Sequence, residues 1–144
     1  MYMGESDHSL DSKGRLIIPS RFKDELGDKI IITRSIDRCL CIYDLKAWED
    51  FVSRLNKLPS ISENTRKLRR HFIGGSFEVE IDKQGRALIP AKLREYARIS
   101  KDIVLSGVGS NIELWSKEEM DACDMEPEDI KVIAEDLFRE GYEI

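Results

Sequence analysis

Long hydrophobic runs and a basic leader are both missing from this 144-residue sequence. No apolar stretch approaches the roughly 20 residues that a membrane-spanning helix needs, so we do not expect the chain to cross a bilayer. The first ten residues contain no basic segment followed by an apolar one, so we do not expect a secretion signal. Both absences favour a cytoplasmic location.

Cysteine and histidine occur too rarely, and too far apart, to indicate a metal centre. The three cysteines include a C-x-C pair, Cys39 and Cys41, and the only histidines are His8 and His71. An odd number of cysteines with such a pair is a poor disulfide framework. The pair alternates within the apolar run CLCIY, which predicts two small hydrophobic side chains on one face of a strand. The sequence therefore predicts neither a metal nor a cofactor.

Excess positive charge is also lacking, but the deficit comes from one end of the chain. The formal net charge is −5, and residues 117–144 alone hold 3 basic and 11 acidic side chains, a net of −8. Residues 1–116 hold 20 basic and 17 acidic side chains, a net of +3. A mildly basic body is therefore joined to an acidic tail, and its composition is compatible with a local surface that attracts nucleic acid.

The sequence contains one motif that occurs twice. DSKGRLIIP at Asp11–Pro19 returns 71 residues later as DKQGRALIP at Asp82–Pro90. A looser match continues downstream, where CLCIYD at 39–44 aligns with NIELWS at 111–116. A repeat at a nearly fixed offset indicates a structural unit that is used twice.

Each unit is predicted to consist of two β-hairpins around a short helix. Alternating apolar residues in FEVEID predict a strand before the second turn, whereas the equivalent segment before the first turn has serine and histidine at the apolar positions and predicts a weaker strand. Gly14 and Gly85 permit the tight turns because glycine adopts positive φ without steric cost. Pro19 and Pro90 end the short strands that follow.

Helices are predicted between and after the two units. Pro59 ends the first connecting helix, Ser60 and Glu63 are predicted to open the next, and Ser116 with Glu119 matches a capping box. A helix with one apolar face is predicted from Pro127. The sequence thus indicates an α+β fold in four segments: a first unit at 5–47, connecting helices at 48–75, a second unit at 76–119 and an acidic helical tail at 120–144.

Each turn places an aspartate four residues before an arginine, Asp11 before Arg15 and Asp82 before Arg86. On spacing alone the plainer interpretation is an exposed ion pair, which contributes only ~0–1 kcal/mol to stability. The alternative is that the carboxylate orients the guanidinium group, whose free edge then meets a guanine base or a phosphate. A β-ribbon of this kind fits the major groove of DNA.

Other basic residues are further candidates for contact with DNA. Lys13 and Lys83, within the turns, would add phosphate contacts, which supply affinity but do not read sequence. The densest basic run, RKLRRH at 66–71, is interpreted as a solvated or intersubunit face in preference to a DNA contact. Four further residues just after the prolines are compatible with phosphate contact or with plain surface: Arg21, Lys23, Lys92 and Arg94.

An enzymatic function is a further hypothesis. Two turn aspartates, Asp11 and Asp82, raise the alternative of a carboxylate pair that shares a proton. An arginine four residues after each aspartate favours the ionised form instead. The sequence contains no nucleophile–base pair, no phosphate-binding glycine loop and no metal-ligand cluster. We therefore expect a binding protein and not an enzyme.

The two motifs resemble the D-x-x-x-R signature of the MraZ family, which is built from two SpoVT-AbrB-type units. Their flanks resemble the family as well, in MYMGESDHSLDSKGRLIIPSRF, FIGGSFEVEIDKQGRALIPAKLREYA and IELWSKEE, so the likeness covers about residues 1–120. It implies a swapped-hairpin β fold and assembly of identical chains into a ring. It also implies sequence-specific binding to tandem repeats upstream of the division and cell-wall gene cluster, normally as a repressor of its own operon.

The family signature lies on four residues of this chain: Asp11, Arg15, Asp82 and Arg86. With the lysines and glycines of the turns, the expected DNA-binding residues are Arg15, Arg86, Lys13 and Lys83, and the expected orienting residues are Asp11, Asp82, Gly14 and Gly85. The expected partners are double-stranded DNA at the nucleoid and further copies of the chain, with no membrane and no small-molecule substrate. The alternative is an oligomeric adaptor whose acidic tail recruits a protein and which does not bind nucleic acid.

Overall fold

The computed structural model covers residues 1–144 and contains eight strands and six helices. In chain order these are β1 (Tyr2–Ser9), β2 (Arg15–Ile17), α1 (Ser20–Leu26), β3 (Lys29–Arg34), β4 (Leu40–Asp44), α2 (Leu45–Asn56), α3 (Glu63–Phe72), β5 (Phe77–Glu80), β6 (Arg86–Leu88), α4 (Ala91–Tyr96), β7 (Asp102–Gly109), β8 (Ile112–Ser116), α5 (Lys117–Ala122) and α6 (Pro127–Arg139). The α+β class and the two similar units that the sequence predicts are both present.

The two units are interleaved through their strands. Six strands form one antiparallel sheet in the order β1-β7-β8-β4-β3-β5, and β2 and β6 form a separate two-stranded ribbon. The leading strand of the first unit, β1, pairs with β7 of the second, and β5 of the second pairs with β3 of the first. The ribbon also takes one strand from each unit. Each unit therefore completes the sheet of the other. The β-hairpin predicted across each D-x-x-x-R turn was wrong, because the strands on either side of the turn pair with strands of the other unit and not with each other.

One hydrophobic core lies between the large sheet and the ribbon. The ribbon turns Leu16 and Ala87 into this core, and the short helices α1 and α4 add Phe22 and Leu93. The sheet contributes alternate residues of its inner strands, because successive side chains of a strand point to opposite faces: Ile30, Ile32, Leu40, Ile42, Ile103, Leu105, Ile112 and Leu114. The ribbon is thus anchored by one face and presents the other face outward.

Aromatic side chains and α2 cover the opposite face of the sheet. Tyr43 packs against Trp48 and Phe51, with ring centroids 5.5 and 5.4 Å away. Cys39 and Cys41 are both buried on this side, as the CLCIY pattern predicts. Burial raises the pKa of the Cys41 thiol to about 11 and also raises the pKa of Cys39. Both thiols therefore serve as small hydrophobic groups.

The second connecting helix begins later than the sequence pattern predicts. α3 starts at Glu63, and the hydroxyl of Ser62 accepts the capping hydrogen bond from the Thr65 amide at 3.5 Å. The predicted cap, Ser60, lies in the preceding loop, where its hydroxyl accepts a hydrogen bond from Arg69 at 3.1 Å. The prediction at Ser60 was wrong because this hydroxyl binds a side chain and not the helix end.

Two further local predictions were wrong. Ser116 is the N-cap residue of α5, but its side chain makes no capping hydrogen bond, and the Glu119 carboxylate accepts a hydrogen bond from Arg98 at 3.2 Å instead of closing a capping box. The leading strand expected to be weaker, β1, is eight residues long against four in β5. It pairs with β7 along its whole length. Pairing with a long partner strand therefore forms β1 despite its polar side chains.

The C-terminal helix α6 forms as predicted but buries none of its residues. Its apolar face includes Ile130, Ile133 and Leu137, all exposed to solvent. None of the six helices combines the length and the apolar character needed to span a membrane.

Candidate nucleic-acid interface

The first repeated turn, residues 11–15, is held together by Asp11. The Oδ1 atom of Asp11 accepts hydrogen bonds from the backbone amides of Lys13 and Arg15, both at 2.9 Å. Its Oδ2 atom accepts a third hydrogen bond, from Arg15 Nε at 2.7 Å. One carboxylate thus closes the turn and fixes the plane of the guanidinium group. The Nη1 and Nη2 atoms of Arg15 have no hydrogen-bond partner within the chain and remain available.

The second repeated turn, residues 82–86, has the same geometry. Asp82 accepts hydrogen bonds from the Gln84 amide at 3.0 Å, the Arg86 amide at 2.8 Å and Arg86 Nε at 2.8 Å. One Nη atom of Arg86 also makes a long contact of 3.4 Å with the Gln84 amide oxygen. The sequence repeat is therefore a repeat of side-chain geometry, and not only of backbone shape.

Both aspartates are held in the ionised form. The backbone hydrogen bond from Arg15 is the largest cause that lowers the pKa of Asp11 below its ordinary value of 3.8, and the guanidinium group lowers it further. The Arg86 amide and guanidinium lower the pKa of Asp82 in the same way. Because each carboxylate is occupied by its own arginine, the geometry gives no support to the hypothesis of a shared proton.

The two arginines lie on the outer face of the ribbon. The strand register pairs Arg15 with Leu88 and Ile17 with Arg86, so the arginines occupy diagonal corners. Ordinary strand spacings place their Cα atoms about 8 Å apart. Their side chains are 27% and 28% exposed, so neither is sequestered in the core and neither is free in solvent.

Each turn glycine lies against a basic side chain that comes from the other unit. Gly14 has φ +82°, and a Cβ atom at this position would lie 2.7 Å from Arg94 Cζ. Gly85 has φ +76°, and a Cβ atom there would lie 2.9 Å from Lys23 Cε and Nζ. Glycine is therefore required both for the positive φ and for the close approach of a cation.

Arg94 and Lys23 are site residues that the sequence alone does not bring to the turns. Their pattern marks them as groups that follow the prolines and are compatible with phosphate contact or with plain surface, without linking either one to a turn. A usable signal was present, because the two residues occupy equivalent positions 71 residues apart in the repeat. The structure adds Arg94 of α4 to the turn that carries Lys13 and Arg15. It adds Lys23 of α1 to the turn that carries Lys83 and Arg86.

The densest basic run, at 66–71, serves the loop between α2 and α3. Arg66 donates hydrogen bonds to the backbone carbonyls of Ser60 and Ile61, at 3.2 and 2.7 Å. Arg69 donates to the Leu55 carbonyl at 3.4 Å and to the Ser60 hydroxyl at 3.1 Å. These guanidinium groups stabilise the connection between two helices, which gives them a role within the subunit.

Comparison with known proteins identifies the family of this chain. Residues 1–71 and 72–134 each match one family model, described as "MraZ protein, putative antitoxin-like". This chain belongs to the MraZ family. The two matches follow the internal duplication, and the resemblance seen in the D-x-x-x-R motifs is confirmed.

Curated members of the MraZ family are similar to this chain along most of its length. A "Transcriptional regulator MraZ" of Thermoanaerobacter sp. is 48% identical over 118 residues, which cover 82% of each chain. The protein of the same name from Halothermothrix orenii is 45% identical over 141 residues, 95% of this chain and 99% of the relative. That of Clostridium acetobutylicum is 45% identical over 141 residues, 98% and 99% of the two chains.

Proposed function

We propose that this protein is a sequence-specific DNA-binding transcription regulator, and not an enzyme. The observation that carries the proposal is the pair of arginines on the ribbon, each fixed through Nε by an ionised aspartate. Both Nη atoms of Arg15 are free, and one Nη atom of Arg86 makes only a long contact with Gln84. An arginine edge of this kind meets guanine O6 and N7, or a phosphate, through two hydrogen bonds. A two-stranded ribbon fits the major groove. The name of the relatives, transcriptional regulator, supports the proposal.

Each group of residues has a separate role in this proposal. Arg15 and Arg86 contact bases, which gives sequence specificity. Lysine and arginine side chains around them contact phosphates, which gives affinity that depends on salt: Lys13, Lys83, Lys23 and Arg94. Four residues shape the turns and orient the arginines: Asp11, Asp82, Gly14 and Gly85.

The finer parts of the proposal concern assembly and target. Identical copies form a ring, so that several ribbons meet tandem repeats in the promoter and gain affinity from effective concentration. The protein acts in the cytoplasm, at the nucleoid, as a repressor of the division and cell-wall gene cluster. We propose the swapped-hairpin type of fold, which the exchange of β1 and β5 between units supports. We also propose that the chain consists of the four segments 5–47, 48–75, 76–119 and 120–144.

The competing proposal is an oligomeric adaptor that binds proteins and not DNA. One observation favours it: α6 exposes Ile130, Ile133 and Leu137 on one face with no partner in the chain. An apolar protein interface is weakly sensitive to salt, whereas contacts with several phosphates are strongly sensitive. Salt dependence therefore separates the two functions.

A binding titration tests the proposal. The protein is titrated with a duplex taken from just upstream of its own coding sequence and with a shuffled duplex, at about 50 and about 200 mM salt. Four to six phosphate contacts predict a slope of log K against log salt of roughly −4 to −5, so affinity should fall roughly 200- to 1,000-fold. Equal affinity for both duplexes, or no response to salt, would contradict the proposal.

A further inference from the structure

Two large aliphatic side chains stand exposed between the two arginines. Ile17 is 65% exposed and Leu88 is 51% exposed. Their neighbours along the strands, Leu16 and Ala87, are buried in the core. Alternation along each strand therefore places Ile17 and Leu88 on the outer face of the ribbon, the face that carries the arginines.

The surroundings of this aliphatic pair are basic. Leu88 lies directly opposite Arg15 in the strand register, and Ile17 lies opposite Arg86. Cross-strand Cβ atoms are about 5 Å apart, so each aliphatic side chain is the immediate neighbour of one arginine side chain. Lys23 and Arg94 add positive charge over the turn glycines at the two ends. Charge complementarity therefore points to a polyanion that also offers small apolar groups.

The major groove of DNA has both properties. Its walls are phosphates, and the C5-methyl group of thymine is the apolar group that it presents to a side chain. We propose that Ile17 and Leu88 contact thymine methyl groups beside the bases that the arginines read. This inference rests on the proposed function, and it adds a second chemistry to the site: hydrogen bonding by arginine and methyl recognition by the aliphatic pair.

Replacement of thymine by deoxyuridine tests the inference, because it removes the methyl group and leaves the hydrogen-bonding edges of the base in place. The upstream duplex is amplified once with thymidine and once with deoxyuridine triphosphate, and both products are titrated with the full-length protein. The wild-type protein should bind the deoxyuridine duplex roughly four- to sixteen-fold more weakly, for one or two methyl contacts.

The double variant Ile17→Ala/Leu88→Ala completes the comparison. It should bind the thymine duplex more weakly by a similar factor and should no longer distinguish the two duplexes. Because deoxyuridine also alters the duplex itself, the coupling between protein and DNA changes is the deciding quantity. Ile61→Ala is the matched control, since Ile61 is 91% exposed in the loop between α2 and α3. It should discriminate as the wild type does.

Each outcome has a defined meaning. Loss of discrimination in the double variant alone supports methyl recognition. If the wild type and the double variant show the same thymine-to-deoxyuridine ratio, the inference is overturned. It is also overturned if the double variant lowers the subunit number in light scattering without any coupling, because the pair then faces another copy of the chain. If the wild type binds neither duplex, the proposed function fails first, and that result is distinct from the other two.

Discussion

In the proposed function, individual side chains supply the binding chemistry, and the two turn aspartates organise it. Each carboxylate accepts two backbone hydrogen bonds and one from a guanidinium group. A carboxylate that only balanced charge would contribute little at an exposed position. Because Asp11 and Asp82 bind Nε and leave the Nη atoms free, their expected contribution is the orientation of an arginine.

Asp82→Asn tests this orienting role. The asparagine oxygen can still accept both amide hydrogen bonds that Oδ1 makes, but an NH2 group replaces the oxygen that accepts from Arg86 Nε, so the guanidinium group is no longer held. We expect the ratio of specific to shuffled-duplex affinity to fall roughly tenfold, since one bidentate base contact contributes about 1–3 kcal/mol of discrimination. Thermal unfolding should change little. Asp50→Asn on α2 is the control, and an unchanged affinity ratio in Asp82→Asn would refute the orienting role.

The same contacts predict how the turns respond to pH. Lowered pKa values mean that the folded state favours the carboxylate form, so this stabilisation is fully present above about pH 4 and is lost as the pH falls through the lower folded pKa. Carboxyl carbon resonances of Asp11 and Asp82 should titrate with midpoints below 3.8. Loss of one resonance in Asp82→Asn assigns it. Midpoints above 3.8 would show that the hydrogen bonds do not form in solution.

Strands and turns show where local chemistry was enough for prediction. The motif fixes the turn, because Asp11 and Gly14 act within five residues of chain. The partner of each strand was not predictable, since nothing in the polar pattern of β1 specifies β7. The approach of Lys23 and Arg94 to the turns also depends on pairing between distant segments. Predictions that stayed within one turn mostly held, and those that needed the other unit were missing.

Local rules also failed where a side chain had a stronger partner elsewhere. Ser60 and Glu119 each match a helix-start pattern, but Ser60 binds Arg69 within α3 and Glu119 binds Arg98, which follows α4. A hydrogen bond to a charged group is stronger than one to a neutral amide. The caps were mispredicted because the competing arginines lie 9 and 21 residues away, beyond the four-residue capping pattern.

A comparison of two glycines of similar φ, Gly27 and Gly85, distinguishes the effect of backbone strain from the effect of steric crowding. Gly27 has φ +75°, and a Cβ atom added there would have nothing within 4 Å, whereas Gly85 has φ +76° with Lys23 at 2.9 Å. Alanine at either position should reduce stability by about 1–3 kcal/mol, because both backbones have a positive φ that a Cβ atom disfavours. Only Gly85→Ala should also displace Lys23 and lower the salt slope of DNA binding by roughly 0.9. Equal binding by both variants would remove Lys23 from the interface.

The whole chain divides into an interleaved body and a peripheral tail. Residues of β1 such as Tyr2 belong to the core, whereas α6 contributes no buried residue. Deletion of 124–144 should therefore shift the thermal midpoint by no more than a few degrees. Deletion of 1–10 should prevent folding, because it exposes β7 and removes core side chains. A large loss of stability in the tail deletion would show that α6 packs against another copy of the chain.

The net charge of the whole chain is a poor guide to its partner. The tail brings the total to −5 while the ribbon gathers cations from both units. What matters for nucleic-acid binding is the local distribution, because salt screens charges that lie more than about 10 Å apart. A mildly acidic protein can therefore present a basic ribbon to DNA.

The most direct measurement compares Arg86→Ala with Arg66→Ala in a gel-shift titration against the upstream duplex. Arg86 lies on the outer face of the ribbon with one Nη atom unpartnered, whereas Arg66 binds the carbonyls of Ser60 and Ile61 within the subunit. We predict that Arg86→Ala weakens specific binding at least tenfold and that Arg66→Ala stays close to wild type. Equal losses in the two variants, or none in Arg86→Ala, would contradict DNA recognition by the ribbon.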